Sequence, residues 1–435
     1  MTGRWRPTPA LARAVVVGAV AVVAAVVGSA PAVMVLGAPF ILVAGFGLLH
    51  RPDSTPVLDA ELDHRWLHEG QGTTSRLTIR GGEDIEHVAR AMASTPYVAL
   101  HPPSGLAAGL ADDLPTIEIG PRRWGKRVLG EEQVCLTTPW AGYRWGPVGL
   151  HGDALRVLPH TRRFDSRAET PRPVGLVGVN RSPRLGAGVE FADIRPFRPG
   201  DRLRRISWRV SVRSRELHVT TSPAEEDSGV LLVVDALGDH GHSEGLDGEA
   251  SSLDQSVRAA AAVAEHHIRA GDRVGLRIVG GEGGLLGYGA GTRHLRSLFD
   301  LLAGIRAGEL PEGIAHRLQL RVSGGSVVFV FSPMLGAAIV TATASLVQRG
   351  LPVVVVDTLP PGASPRVPDG VDPQIAGLAW RMRRLERDQV LAGLSALGCP
   401  VIAWRGGGTL DDVLRRLARR ASVPRALPGW EVKSG

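Results

Sequence analysis

Cysteine, lysine and aromatic residues are scarce in this sequence of 435 residues, and aromatic residues make up only 5% of it. The two cysteines, Cys135 and Cys399, lie far apart without a CxxC motif, which excludes a disulfide framework and a cysteine-based metal site. Because only Lys126 and Lys433 are lysines, arginine supplies nearly all the positive charge of a chain with net charge +7. The 44% hydrophobic and 21% charged residues exclude a disordered chain, and the length predicts two or three domains.

Two long apolar runs lie near the N-terminus, at residues 14–28 and 32–49. With a few flanking residues, each run is long enough to cross a hydrocarbon core of about 30 Å as a helix. The intervening Ser29-Ala30-Pro31 is typical of a tight turn. The sequence therefore predicts a transmembrane helical hairpin over residues 1–52, with membrane lipid as a partner of residues 14–49.

Arginines flank both runs, with Arg4, Arg6 and Arg13 before the first and Arg51 after the second. Positive charge on both flanks predicts a multi-pass protein of the cell (inner or plasma) membrane whose soluble body is cytoplasmic. The alternative is a signal peptide, in which the first run is the apolar core and Ser29-Ala30-Pro31-Ala32 an imperfect cleavage site. That interpretation makes the chain an exported cell-envelope protein.

The pattern of the soluble body changes twice along the chain. Short alternating segments separated by turn residues fill residues 53–160, which predicts a small β-sandwich-like domain. Residues 161–228 are interpreted as a linker plus a motif-rich segment. From residue 229 to residue 425, continuous apolar strands alternate with helices, which predicts a doubly wound parallel sheet. Residues 426–435 form a tail.

The α/β domain is predicted element by element from its apolar runs and helix caps. The predicted strands cover residues 230–235, 273–279, 326–331, 352–357 and 400–404. The predicted helices cover residues 253–270, 292–306, 337–349, 374–397 and 409–421. Because most of these strands are continuous apolar runs, we expect helices on both faces of the sheet.

Two familiar catalytic or nucleotide-binding patterns lack their usual context. Residues 120–126 match GxxxxGK, but Arg127 follows where a phosphate-binding loop needs Ser or Thr, and no helix is predicted there. The GxSxG nucleophile pattern occurs once, at residues 241–245, but it begins six residues after the predicted strand 230–235 rather than on a tight strand-to-helix turn, so it does not predict a nucleophile elbow. The segment 239–244 has metal-ligating residue types directly after the first buried strand. One alternative is therefore a metal-dependent enzyme using Asp235, Asp239, His240 and His242, and the other is a solvated loop.

A long motif follows the linker. It contains Gly188, Phe191, Arg195, Gly200, Asp201, Arg204, Trp208 and Arg213, which we name the signature residues. The motif resembles the signature of the bacterial domain-of-unknown-function family 58, with Phe197, Ser207 and Val212 as departures from it. The resemblance covers nearly the whole chain, and it implies that residues 229–425 form a von Willebrand factor A-like domain.

The signature residues have two interpretations. In the structural one, the arginines Arg195, Arg204 and Arg213 hold carboxylates or carbonyls, and Trp208 is a buried anchor. In the other, these side chains form a surface that binds an anion or the acidic face of a partner.

The resemblance also implies a cation site with a D-x-S-x-S motif, a Thr and a second Asp. Here Leu237 stands where a hydroxyl is needed, and Pro333 stands near the expected second Asp. Only Asp235, Asp239 and Thr292 are left as remnants, so we expect no metal and no other cofactor.

These observations predict a membrane-anchored, non-enzymatic adaptor. The resemblance implies a MoxR-type AAA+ ATPase as its partner. Nucleic acid is not an expected partner, although the isoelectric point is near 10.3, because arginines on amphipathic helices beside a membrane more often face anionic lipid or solvent.

Overall fold

The computed structural model describes residues 3–161 except residue 83, the segments 181–186, 193–196 and 208–225, and residues 229–310, 326–364 and 370–406, with the single positions 318, 320, 322, 367 and 409. The chain folds into two compact units. The first unit is Met1–Leu158 with Glu244–Asp247, and the second is Pro159–Ser243 with Gly248–Gly435.

The first unit begins with a short strand and two apolar helices. They are β1 (Trp5–Pro7), α1 (Pro9–Val27) and α2 (Pro31–Leu49). Thr8 caps α1, since its Oγ1 accepts a hydrogen bond from the backbone N–H of Leu11 at 3.1 Å. The two helices pack through small residues: a Cβ added at Gly37 would lie 2.4 Å from the Cβ of Ala21. The two predicted apolar runs are therefore two helices in contact.

Eleven further strands complete the first unit. They are β2 (Val57–Leu62), β3 (Trp66–His68), β4 (Thr73–Arg80), β5 (His87–Met92), β6 (Val98–His101), β7 (Leu106–Leu110), β8 (Ile117–Pro121), β9 (Gly125–Val128), β10 (Glu132–Thr137), β11 (Tyr143–Leu150) and β12 (Ala154–Leu158). They form sheets of order β1-β11-β10-β5-β7, β2-β4-β8-β6 and β3-β12-β9. The predicted β-rich architecture is present. Gly125 and Lys126 lie in β9 rather than at the start of a helix, so the GxxxxGK segment is not a phosphate-binding loop.

Apolar side chains from alternate strand positions fill the space between the sheets. One cluster joins Leu77 of β4 to Val88, Val134 and Leu136 of the five-stranded sheet. A second cluster is built around Ile117 and other residues of β3, β5, β8 and β12. Alternation places these residues on one face of each strand, which is why the pattern was readable in the sequence.

The second unit contains nine strands and five helices among its described residues. The strands are β13 (Arg181–Gly186), β14 (Asp193–Pro196), β15 (His218–Glu225), β16 (Gly229–Asp235), β17 (Arg273–Val279), β18 (Gly284–Gly289), β19 (Val327–Ser332), β20 (Val353–Asp357) and β21 (Val401–Ala403). The helices are α3 (Trp208–Ser214), α4 (Ser252–Arg269), α5 (Gly291–Ala303), α6 (Ala337–Gln348) and α7 (Pro373–Ala396). Residues 161–228, interpreted as a linker plus a motif-rich segment, thus contain a small antiparallel sheet of order β13-β15-β14.

A six-stranded sheet of order β18-β17-β16-β19-β20-β21 forms the centre of the second unit. All its neighbouring pairs are parallel except β17 and β18. Helices α6 and α7 pack through Ile339 and Leu394 on the face that carries Val233 and Val330. On the other face, the His267 ring of α4 lies 5.7 Å from that of Phe329. Helices therefore cover both faces of the sheet, as the apolar strands predicted.

The observed elements agree closely with the predicted ones from residue 229 to residue 404. The exception is β18, which was not among the predicted strands and is antiparallel in a sheet that was expected to be parallel. A short connection through Gly280 and Gly283, both at positive φ, returns the chain directly beside β17, and a direct hairpin is necessarily antiparallel. The predicted helix 409–421 and the tail 426–435 lie almost wholly outside the described residues.

Candidate functional site

The carboxyl edge of the six-stranded sheet is the expected position of a ligand-binding site. The strand order reverses between β16 and β19, and ligands of doubly wound sheets bind outside the carboxyl ends of the strands at such a point. Three polar residues end neighbouring strands here: Asp235 ends β16, Ser332 ends β19 and Asp357 ends β20. Of these, the sequence analysis had singled out only Asp235.

Asp235 is buried, and its carboxylate bonds to its own unit. Ser332 Oγ donates a hydrogen bond to Asp235 Oδ2 at 2.5 Å, and the backbone N–H of Leu237 donates to Oδ1 at 3.0 Å. Burial raises the pKa of Asp235, while the bonds from Ser332 and Leu237 oppose the rise. Ser332 Oγ also accepts a bond from the backbone N–H of Met334 at 2.8 Å. The carboxylate thus joins the ends of two strands.

Asp239 acts at the start of α4. Its Oδ1 accepts a hydrogen bond from the backbone N–H of Leu253 at 3.1 Å, in the first turn of the helix. The backbone of His240 is fixed to the same turn, since its N–H donates to Ser252 Oγ at 2.9 Å. The His240 ring lies 5.6 Å from that of Trp380. Burial lowers the pKa of His240, the charge of Arg383 lowers it further, and Asp239 opposes both.

A buried ion pair lies at the carboxyl end of β20, next to Ser332. The Arg387 guanidinium of α7 pairs with the Asp357 carboxylate, and its Nε donates to the carbonyl of Pro333 at 2.6 Å. Sequence reasoning missed this pair. The available signal was the position of Arg387 seven residues before Leu394, which places an arginine on the apolar face of α7.

The three remnants of the implied cation site do not converge. Asp235 lies at the carboxyl edge, level with Val279 of β17. Gly289, the last residue of the antiparallel β18, pairs with Val274 at the opposite edge, and Thr292 is the second residue of α5, three residues after Gly289. Five strand residues separate the two edges, about 16 Å at roughly 3.3 Å per residue. The prediction that Thr292 belongs with Asp235 is therefore wrong.

The candidate metal-ligating side chains of residues 235–242 also contact different parts of the second unit. Asp235 bonds to the end of β19 and Asp239 to the first turn of α4, while His242 is exposed. Within the described part of the chain, no group of three or more His, Cys, Asp or Glu side chains is placed to hold a metal ion.

Three signature residues can be located. Trp208 begins α3 and is 64% exposed, so the prediction that it is a buried anchor is wrong. The inward residue of this short helix is Ser211, whose Oγ accepts a hydrogen bond from the backbone N–H of His218 at 2.8 Å. Arg213 is exposed on the same helix, and Arg195 lies in β14, paired with Val219. The other five, Gly188, Phe191, Gly200, Asp201 and Arg204, lie outside the described residues.

The N-terminal helices form the second functional feature. Each has 19 residues, and both are long and apolar enough to cross a membrane. Most of their large side chains are exposed, among them Val16, Val20, Val23, Val26, Leu36, Leu42 and Leu48. Helices that are apolar all round and exposed have the composition of a membrane-embedded segment.

Comparison with known proteins agrees with the signature. The family model described as "Protein of unknown function DUF58" matches residues 193–364. No curated protein matches the chain. The match runs from β14 to just beyond β20, so it covers five of the six strands of the central sheet, and β21 and the signature residues Gly188 and Phe191 lie outside it. Residues 193–364 of this chain therefore match the DUF58 family model, in agreement with the resemblance that the signature residues indicated.

Proposed function

We propose that this protein is a membrane-anchored, non-enzymatic adaptor. Helices α1 and α2 cross the cell membrane as a hairpin, and the soluble body lies in the cytoplasm. The second unit is a von Willebrand A-like domain that binds another protein. The partner is an AAA+ ATPase of the MoxR type, which supplies the ATP hydrolysis.

The exposed apolar surface of α1 and α2 carries the proposal. Their large side chains point outward on every side, and the contact between the helices uses small residues such as Gly37 and Ala21. Burying one Val or Leu side chain is worth about 1.5–3 kcal/mol, so the same surface in water would be strongly unfavourable. A bilayer removes this cost, and the flanking arginines favour a cytoplasmic location for both ends.

The form of the sheet supports a binding domain rather than a metal-dependent enzyme. Numbered along the chain from β16, the strands lie in the order 3-2-1-4-5-6, which is a doubly wound order. At the carboxyl edge, Asp235 and Asp357 are held by Ser332 and Arg387 of the same unit. An edge with such internal contacts has a fixed shape, which suits recognition of a protein surface.

The exposed signature residues support a surface role. Trp208 and Arg213 lie in one short helix with their side chains in solvent, and Trp and Arg are the residue types enriched in binding hot spots. We assign them to the partner surface. The identity of the ATPase comes from the family resemblance alone.

Reporter fusions test the anchor. A reporter fused after Gly435 should be active only as a cytoplasmic type, and alkaline phosphatase there should be inactive. Alkaline phosphatase fused after Ser29, in the turn between the helices, should be active in the same cells. Phosphatase activity after Gly435, together with loss of an N-terminal tag from the mature protein, would instead establish an exported protein.

Co-purification tests the partner. Tagged full-length protein, cross-linked in membranes and purified, should retain an AAA+ ATPase whose ATP hydrolysis changes when the adaptor is added. The variants Trp208→Ala and Arg213→Ala should reduce recovery of the ATPase at least fivefold and leave the thermal stability unchanged. Arg215→Ala, an exposed neighbour outside the signature, is the matched control. Full recovery with both signature variants would remove α3 from the partner surface.

A further inference from the structure

Helix α7 carries an exposed apolar stripe. Ile375, Leu378, Met382 and Leu385 are between 54% and 65% exposed. Their spacing of three, four and three residues places them on one face of a helix, because successive residues turn by about 100°. We name these four side chains the α7 stripe.

The opposite face of α7 holds the helix against its own unit. Arg387 pairs with Asp357, Leu394 packs in the core with Val353, and Trp380 Nε1 donates to the carbonyl of Ala363 at 2.9 Å. The helix is therefore anchored in a fixed orientation, and the α7 stripe points away from the sheet. Four large apolar side chains in a row on an anchored helix mark an interaction site.

The stripe has the pattern of a coiled-coil seam. In heptad notation, Ile375 and Met382 occupy a positions, and Leu378 and Leu385 occupy d positions. An a-position isoleucine with d-position leucines favours two-stranded parallel coils. Arg381 then falls at g and Glu386 at the following e, five residues later. In a parallel pair of identical helices, g of one helix faces this e of the other.

We propose that the α7 stripe pairs with the α7 stripe of a second copy of this chain, as a short parallel coiled coil. Two symmetric ion pairs, each between Arg381 of one copy and Glu386 of the other, flank the apolar seam. This self-association is distinct from the proposed partner role, and its geometry does not depend on that role.

The charges beside the stripe favour the parallel pair over the antiparallel one. An antiparallel pair that matches all four apolar layers sets Ile375 opposite Leu385, so its two-fold axis lies near residue 380. Arg381 would then face Arg381 of the other copy, which is repulsive. An anionic membrane is the main competing occupant, because the exposed charges Arg381, Arg383, Arg384, Glu386 and Asp388 sum to +1; the maleimide measurement below separates it from self-pairing.

The seam is short, so association of free helices would be weak. Two heptads supply four apolar layers, and isolated helices of this length are marginal in water. In this chain α7 is already folded against the sheet, which removes the cost of forming the helix. Tethering two copies to one bilayer also raises their effective concentration, by the same argument as for linked binding sites. This last step uses the membrane anchor of the proposed function, whereas the seam itself does not.

Disulfide cross-linking in membranes tests the seam. The full-length protein carries Cys135→Ser, so that the buried Cys399 is the only native thiol left. Leu385→Cys should form a disulfide-linked homodimer under mild oxidant at least ten times faster than Arg384→Cys. Residue 384 is the neighbouring exposed position on α7 but lies off the stripe. Equal rates for the two variants, or no dimer with either, would overturn the proposal.

Charge exchange tests the parallel register. In the Leu385→Cys background, Arg381→Glu or Glu386→Arg alone should slow dimer formation about tenfold, because each change replaces two attractive contacts with two repulsive ones. The double exchange should restore the rate to within about twofold. Arg384→Glu serves as the control and should have no effect. A double variant as slow as either single variant would exclude the Arg381–Glu386 pairing.

Labelling of Leu385→Cys with a water-soluble maleimide distinguishes self-pairing from coverage of the stripe by lipid or by a different protein. If lipid covers the stripe, Leu385→Cys will be protected from the reagent but will form no dimer. If a different protein covers it, the cysteine will be protected in native membranes and reactive after purification and reconstitution, again without a dimer. Either result overturns self-pairing. Neither bears on the anchor, which the reporter fusions test separately.

Discussion

Two buried charges, Arg90 in the first unit and Asp235 in the second, have different surroundings. In the first, Arg90 is fully buried and bridges two sheets of the sandwich: its Nε donates to Glu132 Oε1 at 2.6 Å, and its NH2 donates to Ser75 Oγ at 2.7 Å. Its NH1 donates to the carbonyls of Ser75 and Pro115. The charge of Arg90 is thus balanced by a carboxylate, and its guanidinium donates four hydrogen bonds.

In the second unit, Asp235 is buried beside neutral donors, a serine hydroxyl and a backbone N–H. These bonds favour the carboxylate, but burial outweighs them and raises its pKa. The difference between the two sites is that an ion pair and hydrogen bonds offset the desolvation of Arg90, whereas neutral donors only partly offset the desolvation of Asp235. Removing one partner should therefore cost more at Arg90 than at Asp235.

The largest expected effect follows from breaking the first cluster. Arg90→Met leaves Glu132 buried without its cation and should lower the free energy of unfolding of the first unit by about 3–5 kcal/mol. Urea-dependent pulse proteolysis of the full-length protein in detergent measures this change. Arg76→Met is the matched control, because its partner Asp63 lies in an exposed ion pair and stability should hardly change. Equal effects of the two variants would refute the special role of Arg90.

A smaller effect is expected at the sheet edge. Ser332→Ala removes one of the two donors to Asp235 and should destabilise the second unit by about 1–3 kcal/mol. Hydrogen exchange of the β16 and β19 amides reports the change. Ser297→Ala, at an exposed position on α5, is the control and should leave exchange unaltered. Unaltered exchange in Ser332→Ala would mean that Asp235 does not hold the two strand ends together.

The pH dependence of stability sharpens the comparison. Because the folded pKa of Asp235 is raised, the folded state binds more protons than the unfolded state, and stability falls as pH rises above the ordinary Asp value of about 3.9 towards the folded pKa. Asp235→Asn should therefore gain stability relative to wild type as pH rises from 4 to 7.

The control for this measurement has the opposite sign. The Arg76 guanidinium lowers the pKa of Asp63, so wild type should gain stability relative to Asp63→Asn as pH rises through the folded pKa to the ordinary value. The gain should be small because the pair is exposed. The same slope for both variants would contradict the assignment of a raised pKa to Asp235.

The smallest effect is expected for Trp208→Ala. Its side chain is 64% exposed, so the thermal stability should stay within about 0.5 kcal/mol of wild type, far below the cost of truncating a buried tryptophan. Leu232→Ala in the centre of β16 gives the comparison for a fully buried side chain and should cost about 2–5 kcal/mol. A loss in Trp208→Ala of similar size would restore the structural interpretation of the signature.

Hydrophobic patterning predicted the elements of the second unit well. The apolar run 230–235 became β16, and the amphipathic run 253–270 became α4 with a shift of one residue at each end. These features are readable because strand and helix periods are local properties of the chain. The strands of residues 181–225 were not predicted, since Arg, Pro and Ser there obscure any alternation.

The candidate site was predicted only in part. Asp235 and Asp239 were named, but Ser332, Asp357 and Arg387, which complete the carboxyl edge, were not. Asp235 and Ser332 are 97 residues apart in sequence, and Arg90 and Glu132 are 42 apart. Such pairs depend on which strands become neighbours, and no local pattern encodes that choice.

The sequence by itself determined the two apolar helices, the β-rich segment, the alternating strands and helices, and the family signature, because each follows from residue types at short spacing. Only the tertiary structure decided that β18 is antiparallel, which places Thr292 at the edge of the sheet opposite Asp235. It also decided that Trp208 is exposed and that Asp235 accepts a hydrogen bond from Ser332. It also decided which face of α7 Arg387 fixes to the sheet, and so left Ile375, Leu378, Met382 and Leu385 exposed. The physical reason is that strand direction and helix orientation depend on contacts between residues far apart in the sequence. These contacts form only when the whole chain is folded, so no short stretch of sequence encodes them.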